Sequence, residues 1–376
     1  MSDNSTLITG IKQKELDGYF QKRDYGNQFY FEKFFPWRWT PSLENSVLVG
    51  KQGLNVAADI IAFDSSTPEK KRKVAGKIDF DLAAIRIKRI MSETQINEYF
   101  TYKAYANSDA KRRIGEMVYG DVDFAVIGCL ARCEWMFGQV LSTGYFNLST
   151  TNNNGVVTQT TIDFGVPAGN REVCSAADQY WTTGAKTTND PISVIETITA
   201  EARESGVRLK YILMNRSKFS AVRASSATID FVNGQLLIDS GVVQTAMKPS
   251  IASLNAALKG AGLPEIVIID SLITLEDEAH DQTNVDVWED SSNADRYVTF
   301  VPDLNVGNMY YCNTAEELVG KKSAIQSKTN NVLVSRWAEH DPAAEITQGL
   351  LNAFPGFARK DEAWFLDTES HTTYGA

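Results

Sequence analysis

The strongest repeating pattern of apolar residues in the chain runs from residue 114 to residue 141. Apolar side chains recur there every three or four residues for about seven turns, which is the spacing of one helix face. Asn107 or Ser108 can cap the start, and Gly144 can end the helix. At about 1.5 Å per residue, a helix over 107–142 spans roughly 54 Å. We expect this helix to be the central element. The alternative is a coiled-coil helix. Charged residues near the apolar stripe count against it.

Two stretches before this helix, 47–63 and 78–90, read as long strands. The second alternates apolar and polar residues and then changes phase at residues 83 and 84, which indicates a β-bulge. Together they predict one long hairpin. A two-stranded hairpin is barely stable alone in water, so we expect the rest of the fold or another subunit to cover its apolar face.

The segment between these strands carries a basic run, Lys70, Lys71, Arg72 and Lys73. This run is typical of a solvated hairpin tip. A contact with an acidic neighbour, or a nucleic-acid or localisation patch, is the alternative.

Mixed helix and strand patterns follow the long helix. Stretches 145–150 and 156–164, joined by Asn154 and Gly155, predict a short hairpin. Asn189 or Asp190 can cap a helix that has Pro191 at its first position. Further helices are expected through Phe219 and Val222 and over 249–258. Buried strands are expected at 207–214 and 265–270, and a further strand at 296–301. Residues 363–366 form a last short apolar run. These elements predict an α+β fold in which helices cover a sheet.

Residues 1–44 contain many aromatic residues without a clear period, including Phe34, Phe35 and Trp37. Such a segment can hardly bury its rings in a core of its own. We therefore expect an arm that packs on something else, and we take these three aromatic residues and the basic run as candidates for contacts between subunits.

Composition and charge narrow the class of protein. The 376 residues are 43% apolar and carry a net charge of −10, which predicts a folded acidic protein rather than a dedicated nucleic-acid binder. Residues 51–113 hold 13 Lys and Arg against 8 Asp and Glu, whereas residues 114–376 hold 18 against 33. One part of a molecule could therefore attract another part of a second copy. We expect no signal peptide and no membrane span, hence a protein of the cytosol.

The sequence offers few candidate residues for catalysis or for binding a metal or cofactor. Cys129 and Cys133 share a helix face and could hold a metal, but no His lies at ligand spacing, so buried structural thiols are expected. Residues 276–295 carry eight acidic side chains and no Lys or Arg, without the spacing of a calcium loop, and predict a solvated loop. The sequence has no G-x-S-x-G, G-x-G-x-x-G or H-E-x-x-H motif. We expect no catalytic, cofactor or metal site.

The order of these elements resembles the major capsid proteins of tailed phages of the lambda E type. Short patterns are similar as well, namely Phe35-Pro36, the run 162–165, the capped start 189–192, Val301-Pro302-Asp303 and the layout of 345–366. Each pattern is short, and the ordered set carries the resemblance over nearly the whole chain.

The resemblance implies the Hong Kong 97-type capsid fold, with an N-terminal arm, an extended β-hairpin loop, a spine helix, a peripheral domain and an axial domain. Carried onto this chain, it places the arm at 1–44 and the extended loop at 45–100. The peripheral domain takes 101–165 and 323–376, including the spine helix 107–142, and the axial domain takes 166–322.

The implied function is a major capsid protein that self-assembles as hexamers and pentamers into the icosahedral head of a tailed double-stranded DNA bacteriophage. The expected partners are other copies of the chain, then scaffold, portal and decoration proteins, with packaged DNA in non-specific proximity and no membrane. The expected location is the virion, after assembly in the host cytoplasm. An encapsulin-like compartment is the alternative within the fold, and a cytosolic α/β enzyme that uses carboxylates is the alternative outside it.

Overall fold

The computed structural model describes residues 8–49, 76–105, 108–148, 152–153, 160–176, 178–182, 187–240, 248–276, 281–288, 296–320, 324–369 and 374. Its contacts divide the chain into two compact units. The first takes Met1–Asn45, Phe80–Met136 and Asn308–Gly356, and the second takes Ser46–Asp79, Phe137–Gly307 and Phe357–Ala376. The boundaries of these two units differ from those of the four-part division that the sequence led us to expect. That division stays a prediction.

The elements are numbered in chain order. The helices are α1 (Gln13–Phe20), α2 (Phe31–Phe34), α3 (Glu93–Tyr105), α4 (Ser108–Thr143), α5 (Pro191–Glu204), α6 (Arg216–Val222), α7 (Ser226–Ser240), α8 (Ile251–Gly260) and α9 (Ala315–Val319). The strands are β1 (Trp37–Trp39), β2 (Glu44–Val49), β3 (Gly76–Asp81), β4 (Ala83–Met91), β5 (Tyr145–Leu148), β6 (Thr160–Asp163), β7 (Arg171–Val173), β8 (Tyr211–Asn215), β9 (Glu265–Ile269), β10 (Leu272–Glu276), β11 (Gln282–Asp286), β12 (Tyr297–Val301), β13 (Asn308–Cys312), β14 (Ile325–Thr329), β15 (Val332–His340), β16 (Ala343–Gly356) and β17 (Trp364–Asp367).

The first unit is organised around the 14-residue strand β16. One antiparallel partner, β4, follows it from residue 345 to residue 353. The strands β15 and β13 pair with successive parts of β16, and the sheet order is β1-β13-β16-β15-β14. This sheet was not expected from the sequence beyond a similar layout of 345–366.

The predicted strand 78–90 is two strands, with a break at Leu82 where the sequence changes phase. The strand before the break, β3, pairs with β2, whereas β4 pairs with β16. The phase change therefore marks a change of partner rather than a bulge, because the two halves belong to different sheets. The tip of the predicted hairpin, with the basic run 70–73, lies outside the described residues.

The predicted long helix is confirmed, since α4 starts and ends within one residue of the predicted bounds. The predicted apolar stripe is buried from Val118 to Leu141. An 18-residue window of α4 has a mean hydropathy of 1.3, enough for a membrane span by length and composition. Because 72% of that window is buried inside the fold, α4 has the surroundings of a core helix. The expectation of no membrane span stays a prediction.

The second unit contains a five-stranded sheet with the order β7-β17-β12-β8-β9. β8 and β9 are parallel, and β12 lies antiparallel between β8 and β17. The core includes Ile195, Met214, Leu258, Phe300 and Trp364. The predicted start of α5 is confirmed, because the Asp190 carboxylate accepts hydrogen bonds from the backbone N–H groups of Ile192 and Ser193, both at 3.1 Å.

The acidic stretch 276–295 differs from the expected loop. Its described part contributes to a two-stranded antiparallel ribbon, β10–β11, in which Leu272 lies opposite Asp286. Val287 and Trp288 directly after the ribbon are fully buried. Of the acidic residues in this stretch, Glu276 and Asp286 therefore belong to a ribbon that is followed by two buried residues.

Close approach to α4 fixes how tightly each unit packs. A Cβ added to Gly138 would overlap the carbonyl oxygen of Val287, and one added to Gly349 of β16 would lie 2.5 Å from the carbonyl oxygen of Ala125. Backbone meets backbone at both positions, so a side-chain rotation cannot relieve the overlap.

We expect Gly138→Ala to destabilise the protein by roughly 1–3 kcal/mol, because overpacking outweighs the gain of about 1 kcal/mol in helix propensity. Gly115→Ala in the same helix is the matched control, since a Cβ there meets nothing within 4 Å. The control should raise the thermal midpoint while Gly138→Ala lowers it. Equal midpoints for the two variants would contradict this packing.

Candidate assembly surfaces

A buried carboxylate of α4 holds the N-terminal segment of the first unit. Glu134 is fully buried and accepts hydrogen bonds from the backbone N–H groups of Tyr30 at 3.0 Å and Phe31 at 2.9 Å. These groups stand at the start of α2, where N–H groups lack helical partners. The Glu134 carboxylate of α4 therefore supplies hydrogen-bond acceptors to the N–H groups at the start of α2.

A second carboxylate of α4 holds α1 and the turn after it. Asp123 accepts hydrogen bonds from the hydroxyls of Tyr19 at 2.8 Å and Tyr25 at 2.6 Å, and Arg23 lies 3.2 Å away. The Tyr19 ring stacks on Tyr119, with 4.2 Å between centroids. Burial raises the pKa of both Tyr19 and Tyr25, and the hydrogen bond to Asp123 raises it further. Both hydroxyls therefore remain donors.

A third carboxylate belongs to a buried ion pair between neighbouring strands. Glu345 of β16 pairs with Arg336 of β15 at 2.5 Å, and neither side chain is more than 1% exposed. Glu345 also accepts hydrogen bonds from the backbone N–H and the hydroxyl of Thr9. The Tyr99 hydroxyl donates to the carbonyl oxygen of Thr9, and Arg336 donates to that of Val118. One ion pair thus joins the N-terminal segment, α3, α4 and two strands.

These contacts change the interpretation of the aromatic arm. Phe34 and Phe35 are buried inside the first unit, with 1% and 0% of their surfaces exposed. The expectation that the arm cannot bury its rings within its own chain is therefore corrected, because other residues of the same chain cover them. A contact between subunits through these two rings would require them to leave this core. Trp37 stays partly exposed, with its ring edge-on to Tyr311 at 5.6 Å.

A polar cavity of about 520 Å³ lies in the first unit between β4, α3 and α4. Arg89 reaches Asp121 at 3.4 Å and lies 3.7 Å over the Phe124 ring. Burial raises the pKa of Asp121, and the positive charge of Arg89 opposes this shift. Across the cavity, Arg113 donates a hydrogen bond to the Tyr102 hydroxyl at 3.0 Å.

The remaining candidate chemistry is structural within the described residues. Cys129, Cys133, Cys174 and Cys312 are buried free thiols, and burial raises the pKa of Cys129 and of Cys174 to about 12. No group of His, Cys, Asp and Glu side chains in the described ranges could hold a metal ion. Several large apolar side chains are exposed in the described residues, among them Leu318 and Val319.

Comparison with known proteins identifies the family. A profile of the phage major capsid protein E family matches residues 12–244, which is more than half of the chain. The chain belongs to this capsid protein family. The capsid protein is therefore a structural component of a phage capsid, and its fold is of the Hong Kong 97 type.

Solved structures agree with this fold. The capsid protein is 16% identical to a structure assigned as the capsid protein of an E. coli CFT073 prophage, with a TM-score of 0.58 and coverage of 96% and 99% of the two chains. It is 12% identical to a phage-related protein from Bordetella bronchiseptica RB50, with a TM-score of 0.52 and coverage of 94% and 96%. An encapsulin from Synechococcus elongatus PCC 7942 is weaker, at 9% identity, 92% and 89% coverage and a TM-score of 0.37. Among curated protein sequences, none matches the chain.

Sequence reasoning missed the carboxylates that order this capsid protein. Asp123 and Glu134 are isolated acids inside the apolar period of α4, and such placement was the one available signal. Their partners lie about a hundred residues away in sequence, so spacing could not reveal them.

We expect Glu134→Gln to destabilise the N-terminal segment by about 1–3 kcal/mol, because a neutral acceptor replaces a buried charge-assisted one. Limited proteolysis should then cut earlier within residues 20–40. Glu116→Gln is the matched control, since Glu116 is an exposed side chain on the same helix. Equal cleavage rates for both variants would contradict the role given to Glu134.

Asp121→Asn should remove part of the pH dependence of stability. The folded pKa of Asp121 is raised above its ordinary value of 3.8, so ionisation opposes folding as the pH rises through the folded pKa. Relative to the Asn variant, the wild-type chain should therefore lose stability as the pH rises from the ordinary pKa of 3.8 to the raised folded pKa. Urea unfolding across this range measures the difference. A difference that stays constant or changes sign would show that the Arg89 pair outweighs burial.

Proposed function

We propose that this chain self-assembles as hexamers and pentamers into the icosahedral head of a tailed double-stranded DNA bacteriophage. The match of residues 12–244 to the capsid protein family carries the proposal. The chain then acts as a building element rather than as an enzyme. Assembly takes place in the host cytoplasm, and the finished protein resides in the virion.

The pairing of β2 with β3 supports the proposal. These strands form a two-stranded sheet in the described part of the chain, at the base of the extended hairpin. Two strands alone are marginally stable in water, so a hairpin of this kind gains cover when it lies across a neighbouring copy. Folding of the hairpin and assembly of the shell are then coupled, because the contact stabilises both.

The proposed partners follow from the shell. Copies of the chain supply the main contacts, with Trp37 and the basic run Lys70, Lys71, Arg72 and Lys73 as candidate contact residues. Scaffold, portal and decoration proteins bind the shell during or after assembly. Packaged DNA lies close to the wall without specific recognition, and a net charge of −10 keeps the wall from holding phosphates tightly.

A perturbed acid in a pocket together with a small, discrete oligomer would favour the alternative of an enzyme. The cavity contains such an acid, Asp121, but burial beside the cation of Arg89 is a structural arrangement that produces the same kind of shift. Particle size therefore separates the two functions.

Negative-stain electron microscopy of the chain expressed alone, at low and at moderate salt, tests the proposal. We expect closed shells, tubes or sheets of hexamers. Small particles at every salt concentration, also after co-expression with scaffold and portal proteins of the same phage, would overturn it.

Deletion of residues 66–75 should prevent closed particles and leave thermal unfolding of the rest of the chain nearly unchanged. The reason is that the deletion removes the hairpin tip that reaches a neighbour. Replacement of the four basic residues 70–73 by Gln is the length-matched control. It should only weaken assembly and reduce its dependence on salt, because charge contacts between exposed groups are screened. Normal particles from the deletion variant would show that assembly does not need the hairpin tip.

A further inference from the structure

Two side-chain amides bind the backbone of strands at sheet edges. In the first unit, the Gln13 side chain of α1 donates a hydrogen bond to the carbonyl oxygen of Gln326 in β14 and accepts one from the Gln326 backbone N–H at 3.1 Å. In the second unit, the Asn255 side chain of α8 accepts from the backbone N–H of Ile266 in β9 at 2.8 Å and donates to the Ile266 carbonyl oxygen at 2.9 Å. We call Gln13 and Asn255 the edge amides.

The edge amides take the place of a further strand. Among the described strands, β14 pairs only with β15 and β9 pairs only with β8, so each stands at the end of its sheet. The N–H and C=O of one strand residue point to the same side, and Gln326 and Ile266 direct both groups away from the sheet. A side-chain amide carries a donor and an acceptor, as a peptide group does. Each edge amide therefore makes the two hydrogen bonds that a residue of an added strand would make.

The strand β9 has the sequence of a strand that pairs readily with others. Its five residues, Glu265–Ile269, include four consecutive β-branched side chains and a single charge. An apolar, β-branched edge is a template for pairing with a second chain. An open β9 would therefore join copies of the chain by an unwanted contact.

The other edges of the two larger sheets are protected in different ways. The edge strands β1 and β7 have only three residues each, and short strands offer few backbone groups. The nine-residue strand β4 carries Arg86, Lys88 and Arg89 and no acid, so two copies of β4 side by side would bring like charges together. The strands β9 and β14 are longer than β1 and β7 and carry one charged residue each. The edge amides lie on these two strands.

We propose that Gln13 and Asn255 determine which contacts copies of the chain can make, by closing β14 and β9 to strand addition from a second copy. Loss of an edge amide leaves a backbone N–H and C=O unpaired at the edge, and a strand of a second copy then satisfies both. Contacts between copies are thereby restricted to other surfaces. The inference goes beyond the proposed function, because the edges are closed whether or not the chain forms a shell.

Peptide binding to the full-length chain, at concentrations below those at which particles form, tests the proposal. The probe is a fluorescent peptide, KKEIVIIKK, which repeats β9 between lysines that keep it soluble. The variants Asn255→Leu and Gln13→Met keep much of the side-chain size and remove the amide. We expect fluorescence anisotropy to show at least about tenfold tighter binding to each variant than to the wild-type chain, as two hydrogen bonds of ordinary net strength predict.

Three controls separate strand addition from other effects. The same peptide with N-methyl groups on its central residues should not bind the variants, because it lacks the N–H donors of a strand. Lys14→Met adds the same apolar side chain at an exposed neighbouring position of α1. Ile195→Val weakens the core of the second unit without opening an edge. Both control variants should bind the peptide no better than the wild-type chain does.

The outcomes decide the role of each edge amide. Equal affinities of the wild-type chain and an edge-amide variant overturn the role of that amide, and equality for both variants overturns the proposal. Binding by Ile195→Val as tight as that by Asn255→Leu would show general loosening and would also overturn it for Asn255. Asn255→Ser, whose short hydroxyl cannot meet both backbone groups, replaces the Leu variant if that variant fails to fold. Since no particles are needed, failure of this test leaves the shell function standing.

Discussion

Burial of α4 is the constraint on which both units depend. One face of this 36-residue helix is buried, and at two positions another backbone comes very close to it. The structure achieves this with glycine, at Gly349 of β16 against Ala125 and at Gly138 against Val287. Each contact leaves no room for a methyl group, so the elements cannot shift along the helix. Each unit is therefore built on its own part of α4, with positions set by backbone contact rather than by adaptable side chains.

The acids of α4 show how a largely apolar helix can also order polar partners. An ionised carboxylate in a core is costly unless hydrogen bonds and cations surround it. Glu134 accepts hydrogen bonds from backbone N–H groups, and Asp123 accepts them from two tyrosine hydroxyls and lies beside Arg23. Glu345 of β16 forms an ion pair with Arg336. Each acid accepts donors from one particular segment, so the N-terminal segment has one satisfactory position. Apolar contacts alone would hold the segment less specifically.

The elements that the sequence predicted correctly are those that depend on residues close to one another along the chain. The bounds of α4 follow from its period, and the start of α5 follows from Asp190 and Pro191, because both depend on neighbours within a few residues. The sheet of β13 to β16 escaped prediction because polar residues such as Ser335 and Thr347 are buried in it and break the alternation. The burial of Phe34 and Phe35 escaped for another reason. The segment around these two rings has no clear apolar period, so spacing carries no sign that they are buried.

The contact between Thr9 and Glu345 can form only after the long stretch between them has been synthesised. The two residues are 336 positions apart, and a ribosome adding about 5–20 residues per second needs between about 17 and 67 seconds to make that stretch. During this interval the aromatic N-terminal segment exists without part of its final cover. The residues around Thr9 are thus locked into place only after β16, made much later, completes their contacts.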